Sequence, residues 1–221
     1  MARIDARRLA VYLVTDPVLV GQRDLVQVVE SVLKAGVQVV QFRDKSAPTR
    51  ILVAMARKLA DLAKKQGAIL IVNDRVDVAM VSGAHGVHLG QEDMEVADAR
   101  RILGADAVIG VSVRTIQEAQ RAVEAGADYV AASHVFPTGT KDIQDPPLGL
   151  EGVSALSKAL DVPLVGIGGI GPENAADVVR AGADGVAVVS AILAARDPVA
   201  AAKAMQTAVS DGLKARGGHL S

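Results

Sequence analysis

The sequence predicts an α/β fold, a (β/α)8 TIM barrel that forms a single domain over residues 1–221. One pattern recurs four times along the chain, at 34–43, 82–90, 124–133 and 180–190. An amphipathic stretch ends in a small residue and Gly, and a β-branched run follows shortly after. This is the pattern of a helix that ends at a glycine cap and leads into a buried strand.

Further apolar runs lie between these repeats. Together they predict eight strands, beginning near residues 9, 37, 68, 86, 107, 128, 163 and 185. Amphipathic stretches such as 50–66 and 172–181 predict the intervening helices. Alternation of apolar strands with helices is typical of a parallel sheet covered by helices, and eight such units favour a closed barrel. An open doubly wound sheet is the alternative, but the first strand lacks the Gly-rich dinucleotide fingerprint.

The amino-acid composition excludes several classes of protein and several kinds of site. The 24 basic and 25 acidic residues are spread along the chain, which argues against a nucleic-acid or membrane-surface protein. The absence of cysteine excludes disulfides, thiolate catalysis and Cys-type zinc sites. The apolar runs are too short for a signal peptide or a membrane span. We therefore expect a cytoplasmic protein that acts on small molecules, and base rates favour a homodimer.

Polar residues follow strand 2 in the run "VVQFRDK". Alternation along the strand places Gln41, Arg43 and Lys45 on one face, with Val40 and Phe42 facing the helices. Active sites of this fold lie at the carboxyl ends of the strands. Arg43 and Lys45 could lie in a solvated loop, but three such residues at period two favour an anionic ligand.

Acidic residues follow the next two strands. Asn73 and Asp74 end strand 3, and Asp93 follows strand 4. The aspartates could cap the helices that come next. They could also converge, because strands 3 and 4 are neighbours, and two carboxylates facing a cationic strand predict Mg²⁺ bound with a phosphate-bearing ligand. Ser112, after strand 5, is a further hydroxyl contact.

Two histidines, His85 and His88, form an H-x-x-H pattern. Residues three apart on a strand face opposite sides, so we interpret His88 as structural and give a zinc site little weight.

Glycines follow strand 7 at 168, 169 and 171, and Ser190 opens a short helix after strand 8. Loops after strands 7 and 8 commonly bind phosphate in this fold, through backbone N–H groups and a helix N-terminus. Pro172 suits the first turn of the helix after strand 7. The alternative is that the glycines serve tight packing only.

Several motifs occur in one order along nearly the whole chain: "QFRDK", "VNDRVDVA", "GVHLGQEDM", "GVSVRT", "FPTGTK", "GLEG", "VGIGGI" and "VSAI". In this the chain resembles the thiamine-phosphate synthase family. The resemblance implies a transferase that condenses 4-amino-2-methyl-5-(diphosphomethyl)pyrimidine with 4-methyl-5-(2-phosphoethyl)thiazole or its carboxylated precursor. The products would be thiamine phosphate and pyrophosphate, formed by a dissociative substitution assisted by Mg²⁺.

The resemblance also implies roles for individual residues. The pyrimidine diphosphate would be held by Gln41, Arg43, Lys45, Asn73, Ser112 and Lys141, with Arg43, Lys45 and Lys141 stabilising the leaving group. Mg²⁺ would be bound by Asp74 and Asp93. The thiazole phosphate would be held by Thr138, Gly139, Thr140, Gly169, Val189 and Ser190.

Three other functions remain open. The motif "SHVF" places His134 where the related thiazole tautomerases resemble this chain and use a histidine as acid and base, whereas synthases more often have Gly-Pro there. A sugar-phosphate isomerase or epimerase would use the phosphate loops, and a non-catalytic protein could bind thiamine intermediates. A tautomerase or an isomerase leaves the residues of strands 2–4 without a role, which favours the synthase.

Overall fold

Eight parallel strands close into a barrel in the computed structural model, which describes residues 4–139 and 145–217. Each strand pairs with the next, and the last pairs with the first. The strands are β1 (Val11–Val14), β2 (Val39–Phe42), β3 (Ile69–Asn73), β4 (Gly86–Leu89), β5 (Val108–Val113), β6 (Tyr129–Ser133), β7 (Leu164–Ile167) and β8 (Gly185–Val188). The predicted barrel is confirmed.

Helices cover the outside of the barrel. They are α1 (Pro17–Val20), α2 (Leu25–Lys34), α3 (Thr49–Lys65), α4 (Val76–Ser82), α5 (Val96–Leu103), α6 (Ile116–Glu124), α7 (Gly149–Lys158), α8 (Ala175–Arg180), α9 (Ser190–Leu193) and α10 (Pro198–Ala215), with a 3-10 turn at Ala6–Leu9 before β1. The helix predicted over 50–66 is confirmed as α3. Within the described residues, no helix is both long enough and apolar enough to cross a membrane.

The prediction that Pro172 lies in the first turn of a helix is wrong. Helix α8 begins at Ala175, and the proline lies in the turn before it. The side chain of Asn174 accepts a hydrogen bond from the N–H of Gly171 at 2.9 Å, and the N–H of Asn174 donates to the carbonyl of Gly171 at 3.2 Å. The N–H of Ala175 also donates to the carbonyl of Gly171 at 3.0 Å, so the turn that contains Pro172 leads directly into α8.

Side chains alternate between two packed layers. Outward residues such as Val40 and Phe42 join the large core beneath the helices. Inward residues such as Tyr12, Val39 and Ile71 fill the barrel itself. The alternation predicted for strand 2 is therefore confirmed.

Tyr129, inside the barrel, needs room that a glycine provides. Gly110 of β5 pairs with Tyr129 of β6, and a Cβ atom at Gly110 would lie 2.0 Å from the Tyr129 ring. Tyr129 is fully buried. The ring therefore occupies the space above a strand residue that has no side chain.

We expect Gly110→Ala to destabilise the fold by about 1–3 kcal/mol or more, because an added methyl group overpacks a rigid interior. Chemical denaturation followed by circular dichroism measures the change. Gly139→Ala is the control, since nothing lies within 4 Å of its added Cβ and its φ is not positive. Equal stability of the two variants would contradict the packing argument.

Candidate active site

A cavity of about 930 Å³ opens at the carboxyl ends of the strands. This is the end of the barrel at which active sites of the fold lie. Most of the predicted site residues line it: Gln41, Arg43, Asn73, Ser112, Thr138, Gly139, Gly169, Val189 and Ser190. Thr140 and Lys141 lie outside the described residues.

Arg43 is held at the cavity by the loop that follows β1. Its backbone N–H donates to the hydroxyl of the buried Thr15 at 2.9 Å, and its guanidinium lies 3.4 Å from the carboxylate of Asp16. The other oxygen of Asp16 accepts the N–H groups of Val18 and Leu19 and so caps α1. Asp16, after β1, therefore orients Arg43, after the neighbouring strand β2. Asp16 is not among the predicted site residues, although an aspartate before a proline at a strand end signals a cap.

A cluster of three charged residues lies at the ends of β2, β3 and β4. Lys45 lies 3.3 Å from a carboxylate oxygen of Asp74, and Asp74 contacts the carboxyl group of Asp93. Burial raises the pKa of Asp93, and the hydrogen bond and charge of Asp74 add to the rise. A hydrogen bond from Gly90 and the charge of Lys45 act in the opposite direction. Lys45 is exposed, so the two carboxylates lack full compensation.

Neither aspartate caps a helix. Helices α4 and α5 begin after Arg75 and Glu95, and neither helix has a side-chain cap. Asp93 instead accepts the N–H of Gly90 at 2.6 Å. Asp74 has a left-handed backbone with φ of 61°, an uncommon conformation that often occurs at functional sites.

The two carboxylates suit a hard divalent cation. They supply two oxygen ligands close together, and the nearby Lys45 does not fully balance their negative charge. Within residues 4–139 and 145–217, no group of three or more His, Asp or Glu side chains could hold a metal. Mg²⁺ commonly takes only one or two carboxylates and completes its shell with water and substrate phosphate. The residues therefore fit Mg²⁺ bound together with a phosphate-bearing ligand.

A chain of hydrogen bonds crosses the inside of the barrel beneath the cavity. The amide of Gln41 donates to the Tyr12 hydroxyl at 2.8 Å, and the Tyr12 and Tyr129 hydroxyls are 2.9 Å apart. The Tyr129 hydroxyl lies 3.0 Å from Nδ1 of His88, whose Nε2 lies 2.9 Å from the hydroxyl of Ser112. Burial raises the pKa of both tyrosines, so the phenols stay protonated.

The two histidines of the H-x-x-H pattern have different partners. His88 belongs to this interior chain and lines the cavity. His85 lines a different cavity with Arg8, and its Nδ1 accepts the N–H of Leu70 at 3.1 Å. The two rings therefore do not form a common site.

The glycines after β7 pack against the loop after β6. Gly168 and Gly169 have φ values of 98° and 66°, and a Cβ atom at either would lie within 2.5 Å of His134 or Pro137. Packing therefore requires glycine at both positions, as the alternative interpretation holds. Gly169 also lines the cavity beside Val189 and Ser190, so packing and ligand binding are compatible here.

His134 lines the same cavity and is buried. Its Nδ1 lies 3.5 Å from Nη1 of Arg114. Burial lowers the pKa of His134, the charge of Arg114 lowers it further, and Asp145 acts weakly against both. The imidazole is thereby held neutral. Arg114 is not among the residues predicted from the sequence.

The family model described as "Thiamine monophosphate synthase" matches residues 11–192, which span every strand of the barrel. The chain belongs to the thiamine monophosphate synthase family.

Known synthases resemble the chain over nearly its full length. A thiamine-phosphate synthase of Roseiflexus sp. (strain RS-1) is 45% identical over 206 residues, covering 93% of this chain and 87% of that protein. The thiamine-phosphate synthase of Chloroflexus aurantiacus is 48% identical over 199 residues, covering 90% and 92% of the two chains. The structure of a thiamine phosphate pyrophosphorylase from Pyrococcus furiosus superposes with a TM-score of 0.86 at 37% identity, over 94% of this chain and 98% of that one.

In this member of the synthase family, we expect Asp74→Asn to raise the free energy of unfolding by roughly 0.5–1 kcal/mol in metal-free buffer. Asparagine tolerates the left-handed backbone and removes one of two facing carboxylates. The lost contact with the exposed Lys45 is worth little. Urea denaturation measures the change.

Asp44→Asn is the matched control. The Asp44 carboxylate accepts the N–H groups of Ser46 and Ala47 and the Ser46 hydroxyl, so its neutralisation should lower stability. A loss of stability in Asp74→Asn as large as that in Asp44→Asn would show that the two carboxylates of the cluster do not repel.

Proposed function

We propose that the protein joins the pyrimidine diphosphate to the thiazole phosphate, giving thiamine phosphate and pyrophosphate. Its family supports this reaction. The structural observation that supports it best is one cavity between two anion-binding groups of residues. Arg43 lines the cavity at the end of β2, with the Lys45, Asp74 and Asp93 cluster at the neighbouring strand ends. The glycine-rich loop after β7 and the first residues of α9 line it on the far side of the barrel.

At the first side, Arg43 and Lys45 would bind the diphosphate. Arg43 is oriented by Asp16, and Lys45 contacts Asp74. Asp74 and Asp93 would hold Mg²⁺, which when bound would neutralise charge that builds up on the departing pyrophosphate. Gln41 and Ser112, at the two ends of the interior hydrogen-bond chain, face the cavity where the pyrimidine would lie.

At the far side, the thiazole phosphate would lie against Gly169 and the first residues of α9. The leading N–H groups of a helix have no partner within that helix and favour an anion. Val189 and Ser190 line the cavity here, as do Thr138 and Gly139 of the loop after β6. The interpretation of Thr140 and Lys141 as substrate contacts stays a prediction.

The reaction needs charge stabilisation and alignment rather than a protein nucleophile. The bond between the pyrimidine methylene and the diphosphate oxygen breaks, and pyrophosphate leaves with the electron pair. The thiazole nitrogen then donates its lone pair to the methylene carbon. Bound cations lower the barrier to departure, and fixing both substrates in one cavity supplies the alignment.

Thiazole tautomerase is the second candidate, and the position of His134 favours it. A neutral imidazole at a substrate cavity can accept a proton, and His134 is kept neutral there. This activity would not use the Lys45, Asp74 and Asp93 cluster. We therefore place it second.

Incubation with both substrates, with and without Mg²⁺, distinguishes the functions. We expect thiamine phosphate to form only with Mg²⁺, and His134→Asn to retain most of this activity. Isomerisation of the thiazole phosphate alone, abolished in His134→Asn, would establish the tautomerase instead. Binding of either substrate without any turnover would indicate the non-catalytic protein.

Lys141→Ala should lower turnover by about a hundredfold or more, because it removes a donor to the leaving group. Steady-state kinetics with both substrates saturating measure the loss. Lys158→Ala, which removes a lysine from the last turn of α7, is the control. Near-normal turnover in Lys141→Ala would exclude its assigned role.

A homodimer and a cytoplasmic location stay predictions.

A further inference from the structure

Arg114 contacts both ends of the segment that joins β6 to α7. Its Nη1 donates to the carbonyl of Ser133 at 3.1 Å, and its Nη2 donates to the carbonyl of Pro146 at 2.8 Å. Its Nε lies 3.5 Å from the carboxylate of Asp145. One guanidinium thus joins residues that lie twelve or more positions apart in the chain.

The backbone of Arg114 is itself fixed. Its N–H donates to the carboxylate of Glu118 at 2.7 Å, and the N–H of Glu118 donates to the hydroxyl of Thr115, the cap of α6, at 3.1 Å. This reciprocal pair resembles a capping box. Arg114 therefore extends from a rigid strand-to-helix junction and not from a loose turn.

The segment between Ser133 and Pro146 contributes to the cavity through His134, Pro137, Thr138 and Gly139. Backbone bonds already hold its beginning to β7, from Val135 to Ile167 and from Phe136 to Gly168. Arg114 contacts one of these cavity residues directly, since its Nη1 lies 3.5 Å from Nδ1 of His134. It fixes the points at which the segment leaves and rejoins the barrel.

We propose that Arg114 is a positioning residue that sets the placement of Thr138 and Gly139 at the thiazole-phosphate side of the cavity. The inference rests on the proposed function for its assignment of the substrate. The planar guanidinium suits this role, because it donates in two fixed directions to two carbonyls. A lysine ammonium is a point charge and cannot reproduce the fork.

The structural part of the inference is testable without a substrate. In Arg114→Ala, we expect amide hydrogen exchange at Val135, Phe136, Leu148 and Gly149 to accelerate about tenfold, as loss of charged hydrogen bonds to two carbonyls would cause. These amides are bonded at the two ends of the segment. Exchange in β1–β4 should not change. Unchanged exchange at all four amides would overturn the inference.

The functional part of the inference is tested by measuring KM for each substrate separately, because the loss of Arg114 should affect only one of them. In Arg114→Ala, we expect KM for the thiazole phosphate to rise about tenfold, while KM for the pyrimidine diphosphate stays within about twofold. A general loss of folding would raise both or lower the active fraction without changing either. Equal effects on the two constants, or no effect, would overturn the inference.

Two further variants complete the test. Arg101→Ala is the control, because that guanidinium is mostly exposed and, among the described residues, pairs only with Asp98 on the same helix, so neither readout should change. Arg114→Lys should resemble Arg114→Ala, whereas full recovery would show that charge suffices and overturn the two-carbonyl role. If Arg114→Ala does not fold, Arg114→Lys supplies both measurements. An inactive wild type would refute the proposed function, and hydrogen exchange would then decide the role of Arg114 alone.

Discussion

Side chains inside a closed barrel have little access to water, so polar groups placed there must largely satisfy one another. In this protein the chain of five side chains from Gln41 to Ser112 meets that constraint. One direction of donation satisfies every member. Gln41 donates to Tyr12, Tyr12 to Tyr129, and Tyr129 to Nδ1 of His88, which leaves the Nε2 proton of His88 to be donated to Ser112. In the reverse direction the Tyr12 hydroxyl accepts twice and its own proton loses Tyr129 as an acceptor, which is costly in a buried site.

The need to satisfy these buried polar groups links the packing inside the barrel to the positions of side chains in the cavity. Gly110 leaves the space that the Tyr129 ring fills, and the ring places its hydroxyl between Tyr12 and His88. His88 then reaches Ser112 at the cavity floor. A change deep in the barrel is therefore expected to move a cavity hydroxyl, even though no intervening residue is charged.

The sequence was sufficient for the fold because its signals are local. Each glycine cap and β-branched run concerns about ten neighbouring residues, and the closed order of the strands follows from repeating that unit. Strand ends alone place the residues after strands 2, 3 and 4 at one rim, and Lys45, Asp74 and Asp93 do lie together there, while their roles stay predictions. Pro172 lies in the turn before α8, because the Asn174 side chain closes that turn by accepting the N–H of Gly171. Tyr12, Tyr129 and Arg114 were missed for a different reason. Their roles come from partners on other strands or far along the chain, and no local pattern encodes those pairs.

The distribution of charge bears on the proposed chemistry. The interior chain carries no formal charge in the donor order given above, since both phenols are protonated and Nδ1 of His88 accepts. Formal charges lie instead at the rim, among them Arg43, Lys45, Asp74 and Asp93, where the proposed function would place the diphosphate. A carbocation that forms above the chain would meet hydroxyl and amide dipoles rather than a nearby positive charge. Departing pyrophosphate would meet Arg43 and Lys45. Under the proposed function, the site would thus separate the two charges that a dissociative substitution creates, with groups that the fold already holds in place.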